Sequence, residues 1–202
     1  MTTVPDVVFH FDPACPWTWM TSRWLVDVAE QRDLDVAWQP LSLKVLNGDK
    51  VPEQYRPRLD ATFIALRAIT ALADEGDHEA AGRLYTALGD AFYRKGVDPT
   101  TESIKEVVVA AAPQAADALD DSSRDDAIAE RTTSIVEAAG GDVGSPVLSF
   151  PASGAAIHGP IVNPPPTGDE AGRLWDAIST AVTVPGFYEL KRGRGGRPPQ
   201  LG

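Results

Sequence analysis

Cys15 is the single cysteine among 202 residues, and its surroundings give it chemistry. The run Phe11-Asp12-Pro13-Ala14-Cys15-Pro16-Trp17-Thr18 joins an apolar, strand-like stretch ending at Phe11 to a helix-like stretch, Pro16 to Arg32. A sulfur at that junction faces a helix N-terminus, whose unpaired N–H groups and positive dipole end favour an anion. The thiolate is therefore expected to be stabilised, with a pKa below the free value of about 8.5. Pro16 suits the first helical position, where no donor is needed. Thr18 stands one turn further on, where its hydroxyl can donate to the sulfur and favour the charged form. With threonine there, no second thiol exists to resolve a disulfide from within, so turnover through Cys15 needs a thiol from outside. The competing reading of an unpaired cysteine is a small buried hydrophobe; the strand–proline–helix junction argues for a reactive thiol.

The elements that must position this junction follow in order. A strand near 6–11 and the helix Pro16–Arg32 lead to a second strand near 35–41. Met20, Trp24, Leu25 and Val28 share one helical side. Ser42 to Pro52 reads as a loop, with Asn47-Gly48-Asp49 as its turn. Ala-rich helical stretches then cover 57–75, 79–95, 101–112 and 123–139, with Leu59, Phe63, Leu66 and Ile69, and then Leu84, Leu88 and Phe92, as buried faces. Strand character returns at Pro146–Phe150 and Ala155–His158, joined by a hairpin turn at Ala152-Ser153-Gly154. A last helix follows Thr167, with Leu174, Trp175, Ile178 and Val182 as its buried stripe. The order β-α-β, helical block, β-β-α predicts an α/β thioredoxin-like fold. Residues 1–51 and 141–202 make the thioredoxin-like domain, and 52–140 an inserted helical domain.

Composition narrows the partners. The net charge of −11 argues against nucleic acid. No apolar run of about 18 residues exists to span a membrane. The N-terminus shows no basic and apolar leader pattern, so with reduced-thiol chemistry the expected compartment is the cytoplasm. Four cations in 191–202, with no acid among them, leave the remaining chain at −15. That Gly/Pro-rich end reads as a solvated tail, or as cations that hold an acidic ligand or a partner subunit. His10, His78 and His158 do not cluster, and one cysteine is too few soft ligands for a zinc site, so no metal centre is expected. Phosphate loops, the Rossmann fingerprint and serine-triad motifs are absent.

Several segments, in order along the whole chain, resemble one family. They are Phe11-Asp12-Pro13 with Cys15-Pro16-Trp17, Thr21-Ser22-Arg23-Trp24, Leu43 with Leu46-Asn47, Pro52-Glu53-Gln54-Tyr55-Arg56, Asp142-Val143-Gly144-Ser145-Pro146, Gly159-Pro160, Glu170-Ala171-Gly172 with Leu174-Trp175-Asp176, and Phe187 to Arg192. The chain resembles the DsbA-like thioredoxin superfamily and, within it, the mycothiol-dependent nitroreductase family of cytoplasmic bacterial proteins. The resemblance implies an oxidoreductase that uses mycothiol, or a similar small thiol, as co-substrate. It implies no tightly bound cofactor, a small-molecule or disulfide substrate, and a homodimer. It makes Ser145-Pro146 the cis-proline pair facing Cys15, with the Ser145 backbone able to pair with a bound thiol like an added strand. It places Trp17, Asn47 and Tyr55 near substrate. Typical members carry a second cysteine where this chain has Thr18.

Three functions remain open on this basis. The first is a monothiol thiol–disulfide oxidoreductase in which Cys15 is the nucleophile and a small thiol resolves it. The second is an enzyme like the kappa glutathione transferases and related isomerases, which activates a bound small thiol through Thr18 and Ser145. The third is a non-catalytic thioredoxin-fold protein that binds or senses redox state.

Overall fold

The computed structural model describes residues 4–201. Alternating burial drives the first strand, β1 (Val7–Phe11), whose Val7, Phe9 and Phe11 are fully buried. β1 leads through α1 (Pro16–Arg32) to a parallel partner, β2 (Val36–Pro40), with Phe9 opposite Trp38. On its other side β1 pairs antiparallel with β3 (Val147–Phe150), and β3 with β4 (Ala155–His158). The sheet order among the described residues is β2-β1-β3-β4. The last helix, α7 (Gly168–Ala181), packs beside α1, where the Trp24 indole N–H donates to the Ala171 carbonyl at 3.1 Å. This is the thioredoxin-like α/β arrangement predicted from the element order.

Between β2 and β3 the chain forms α2 (Leu43–Asn47), α3 (Arg56–Asp74), α4 (His78–Gly89), α5 (Thr101–Ala111) and α6 (Asp125–Ala138). Their apolar faces share one core with the sheet: Leu66, Ile69, Leu84 and Tyr85 pack with Phe9, Phe11, Trp19 and Trp38. Phe11 and Tyr85 are closest, with ring centroids 4.0 Å apart. The predicted buried faces Met20-Trp24-Leu25-Val28, Leu59-Phe63-Leu66-Ile69 and Leu84-Leu88-Phe92 are all buried.

Three elements differ from expectation. Ser42 to Pro52 is not a plain loop: the buried Ser42 hydroxyl accepts from the Val45 N–H at 3.2 Å and starts α2, and 3₁₀ turns follow at Gly48–Lys50 and Glu53–Tyr55. Helix 79–95 ends early as α4 and continues as a π turn, Asp90–Arg94, closed by the Lys95 N–H on the Asp90 carbonyl at 3.0 Å. Pro113–Asp120 is a 3₁₀ segment between α5 and α6.

Gly89 shows how tightly the block docks on α1. A Cβ built there would lie 2.1 Å from Trp19 Cζ3, a core ring that is 1% exposed. Alanine normally helps a helix by about 1 kcal/mol relative to glycine, yet here it displaces an indole from a packed core. Gly89→Ala is expected to destabilise the protein by about 1–3 kcal/mol in urea unfolding. A gain in stability would contradict this packing.

Candidate active site

The strand β1 ends in a turn held by Asp12. This carboxylate is buried, accepts from the Ala14 N–H at 2.8 Å, and accepts from the Leu43 N–H at 2.7 Å. The first bond shapes the turn into Cys15; the second ties it to α2. Two further groups clamp the turn: the Tyr93 hydroxyl donates to the Pro13 carbonyl at 2.8 Å, and Arg58 Nε donates to the Ala14 carbonyl at 3.3 Å. Tyr93 sits on the π turn, so the local widening of that helix carries a ligand of the turn and stacks its ring on Trp19 at 5.9 Å.

Cys15 is the N-cap of α1, with extended backbone, and Pro16 is the first helical residue. Its sulfur is 3.7 Å from the Ser145 carbonyl, to which the thiol donates. Ser145–Pro146 is a cis peptide bond, and the Ser145 carbonyl of this loop before β3 meets the cysteine. Thr18 is fully buried, and its hydroxyl lies 2.7 Å from the Ser145 hydroxyl, either one being the donor. Cys15, Pro16, Thr18, Ser145 and Pro146 are thus one cluster, closed by a Cys15–Ser145 contact across 130 positions.

The thiol's electrostatics depart from the expectation of a lowered pKa. Burial pushes the Cys15 thiol up; the hydroxyl and N–H of Thr18 pull the other way, Asp12 adds a push upward, and the Trp17 N–H a pull downward. Cys15 is only 7% exposed, so loss of hydration outweighs the helix N-terminus. Burial thus favours the neutral thiol, which donates to the Ser145 carbonyl.

The other expected site residues are more peripheral. Trp17 is half-buried beside the motif, with the Arg194 guanidinium 4.3 Å from the centre of its ring. Asn47 is exposed at the end of α2 and donates its amide to the Leu43 carbonyl at 2.8 Å. Tyr55 is 53% exposed at the start of α3. Their segment also meets the turn through apolar contact: Ala14 packs with Val51, Leu59 and Leu43. His10 lies on β1 with Nε2 3.0 Å from the Ser149 hydroxyl, and burial pushes its imidazole down to about 4. Among the described residues no group of His, Cys, Asp and Glu could hold a metal ion.

Asp12 carries a pH signature. Burial pushes its carboxyl up to about 6, against the Ala14 and Leu43 N–H groups and the Arg58 cation, which hold it down. A raised carboxyl means that the fold favours the protonated form. That stability is fully present below the unfolded-state value of about 4 and is lost as pH rises through about 6. Asp12→Asn cannot titrate and keeps one oxygen for one of the two N–H donors. The difference in unfolding free energy, wild type minus Asp12→Asn, is expected to fall by about 3 kcal/mol between pH 4 and 7. Denaturant midpoints across that range measure it, and parallel curves for the two proteins would contradict the assignment.

A thiol at a helix N-cap opposite a cis-proline loop, on this sheet order, is the arrangement of a thioredoxin-like fold. Solved structures share that fold. The cytosolic disulfide reductase DsbM from Pseudomonas aeruginosa, solved with GSH, aligns at a TM-score of 0.58 and 14% identity over 85% of this chain and 98% of its own. DsbA from the same organism aligns at 0.51 and 15% identity, over 89% and 85%. The chain belongs to the Rv2466c-like family, described as mycothiol-dependent nitroreductase Rv2466c, whose profile matches residues 14–192. An uncharacterised protein of Mycobacterium tuberculosis (strain ATCC 25618 / H37Rv), Rv2286c, is 33% identical over 200 residues, which are 95% of this chain and 82% of that relative.

Proposed function

We propose that the protein is a monothiol thiol–disulfide oxidoreductase that uses Cys15 with an outside small thiol, mycothiol in keeping with its family, as the resolving partner. The observation that carries this reading is the set of contacts around one sulfur: the N-cap position of Cys15, the Ser145 carbonyl at 3.7 Å, and Thr18 rather than a second cysteine one turn on.

The cycle needs one protein sulfur. The Cys15 thiol gives its proton to solvent as substrate enters, and the Thr18 hydroxyl and the N–H groups of Trp17 and Thr18 favour the resulting anion. The thiolate attacks one sulfur of a disulfide, R–S–S–R′. A Cys15–S–S–R bond forms, the original S–S bond breaks, and R′S⁻ leaves. A small thiolate then attacks the Cys15 mixed disulfide, leaves as its disulfide with R, and restores the Cys15 thiolate. In this reading the Ser145 backbone pairs with the bound thiol compound, and Trp17, Asn47 and Tyr55 contact the substrate.

No helix among the described residues is long and apolar enough to cross a membrane. We place the protein in the cytoplasm, where a reduced small-thiol pool can resolve the mixed disulfide, and propose a homodimer. Reduction of a simple disulfide with mycothiol as sole reductant tests the function. Wild type should turn over and Cys15→Ser should not.

A second reading keeps the pocket and moves the chemistry to a bound thiol. The buried, neutral Cys15 and the Thr18–Ser145 hydroxyl pair favour it. Its mark is activity that survives Cys15→Ser with no covalent adduct on the wild type.

A further inference from the structure

The chain after α7 is not a free end. The Asn163 amide donates to the Pro198 carbonyl at 2.8 Å, and the Gln200 N–H donates to Asn163 Oδ1 at 2.9 Å. Leu201 packs against the main core. The segment that carries Asn163 is itself held to α1, where the Thr21 hydroxyl donates to the Pro160 carbonyl at 2.7 Å. A turn through Gly195 and Gly196, both at positive φ, is closed by the Arg197 N–H on the Arg194 carbonyl at 3.3 Å.

This path sets Arg194 over Trp17, with 4.3 Å from the guanidinium carbon to the ring centre. The His158 imidazole is held below its ordinary range first by burial and then by Lys191 and Arg194, with Glu189 acting in the opposite direction. His158 Nε2 in turn approaches Gly144, lying 3.7 Å from where a Cβ there would be. The contact that brings the tail to the motif is therefore that of Arg194 on Trp17.

Arg194 has no carboxylate partner and no hydrogen-bond acceptor among the described residues. Hydrogen bonds from Asn163 already hold the tail, so docking does not consume the guanidinium donors. A stacked arginine with free donors matches a carboxylate in two-point geometry. In a chain of net charge −11 such a cation stands against the prevailing field, which repels anions elsewhere.

We propose that Arg194, stacked on Trp17, forms an anion-binding subsite beside the Cys15 motif, and that the disulfide substrate it takes carries a carboxylate. This rests on the reading of Cys15 as the nucleophile. The subsite holds the carboxylate while the Cys15 thiolate attacks the neighbouring sulfur; the S–S bond breaks and the other half leaves as a thiolate.

Two disulfide probes separate charge from reactivity. Dithiobis(nitrobenzoate) bears a carboxylate on each ring, whereas dithiodipyridine is uncharged at neutral pH. Both release a coloured aryl thiolate or thione when Cys15 forms the mixed disulfide. The readout is the ratio of their rate constants, anionic over neutral, so that a general change in thiol reactivity cancels. Arg194→Gln should lower the ratio by about fivefold, Arg194→Glu further, and added salt should lower the wild-type ratio while leaving that of Arg194→Glu below it. Lys105→Gln, an equal charge change on α5 far along the helical block, should leave the ratio at the wild-type value. Equal ratios for wild type, Arg194→Gln and Arg194→Glu would overturn the subsite and leave the thiol reading intact. Failure of both probes to modify Cys15 would overturn both.

Discussion

Replacing Cys15 with serine is expected to lower mycothiol-dependent disulfide reduction by on the order of 10⁴-fold or more, to the uncatalysed background. A hydroxyl cannot stand in for a thiolate here. It stays protonated at neutral pH and cannot leave from, or exchange with, a disulfide bond. The fold should tolerate the change. The sulfur donates a 3.7 Å hydrogen bond to the Ser145 carbonyl, and a serine hydroxyl can donate there instead. An unchanged denaturation midpoint beside lost turnover would place the effect on chemistry. Retained turnover would shift the account to the bound-thiol reading, in which Thr18 and Ser145 act on the small thiol.

Thr18→Cys is the second large effect, and it changes the kind of reaction. The N-cap and third helical positions put the two side chains one turn apart, within the separation that a Cys-x-x-Cys disulfide bridges. Once Cys15 holds a mixed disulfide, a thiol at position 18 attacks the Cys15 sulfur, expels the small thiol, and closes an internal disulfide. Oxidised small thiol should then leave the variant two hydrogens lighter and without an adduct, while wild type keeps the adduct. The variant also loses the hydrogen bond between Thr18 and Ser145, so a modest fall in stability is expected alongside. Intact mass and free-thiol titration read both forms. An adduct that persists on Thr18→Cys would show that position 18 does not face the reacting sulfur.

Much of this site is readable from residue order because it is local. Strand alternation ending at Phe11, Pro16 at the helix start, and Thr18 one turn on lie within a dozen residues, and helical spacing carries the rest of α1. The return of strand character at Val147 and Ala155 is equally local. What sequence order hides is the set of long-range closures. Asp12 sits inside the motif, but its role depends on the Leu43 N–H, 31 residues away, and on a short helix too brief to show periodicity. The π turn is invisible because Leu84, Leu88 and Phe92 keep the spacing of an uninterrupted helix. The raised Cys15 pKa follows from burial beneath the Ser145 loop, 130 residues distant, whereas the helix N-terminus that argues for a lower value is local. The strap over Trp17 lacks any apolar pattern, since Asn163 and backbone groups hold it.

The central claim is that one protein sulfur suffices because a small thiol resolves it. Intact mass of the protein after incubation with oxidised mycothiol tests that claim most directly, with Cys15→Ser alongside. The predicted result is a single mycothiol adduct on wild type, removed by excess reduced mycothiol, and none on Cys15→Ser. A wild-type protein that turns over disulfide yet never carries the adduct would contradict it.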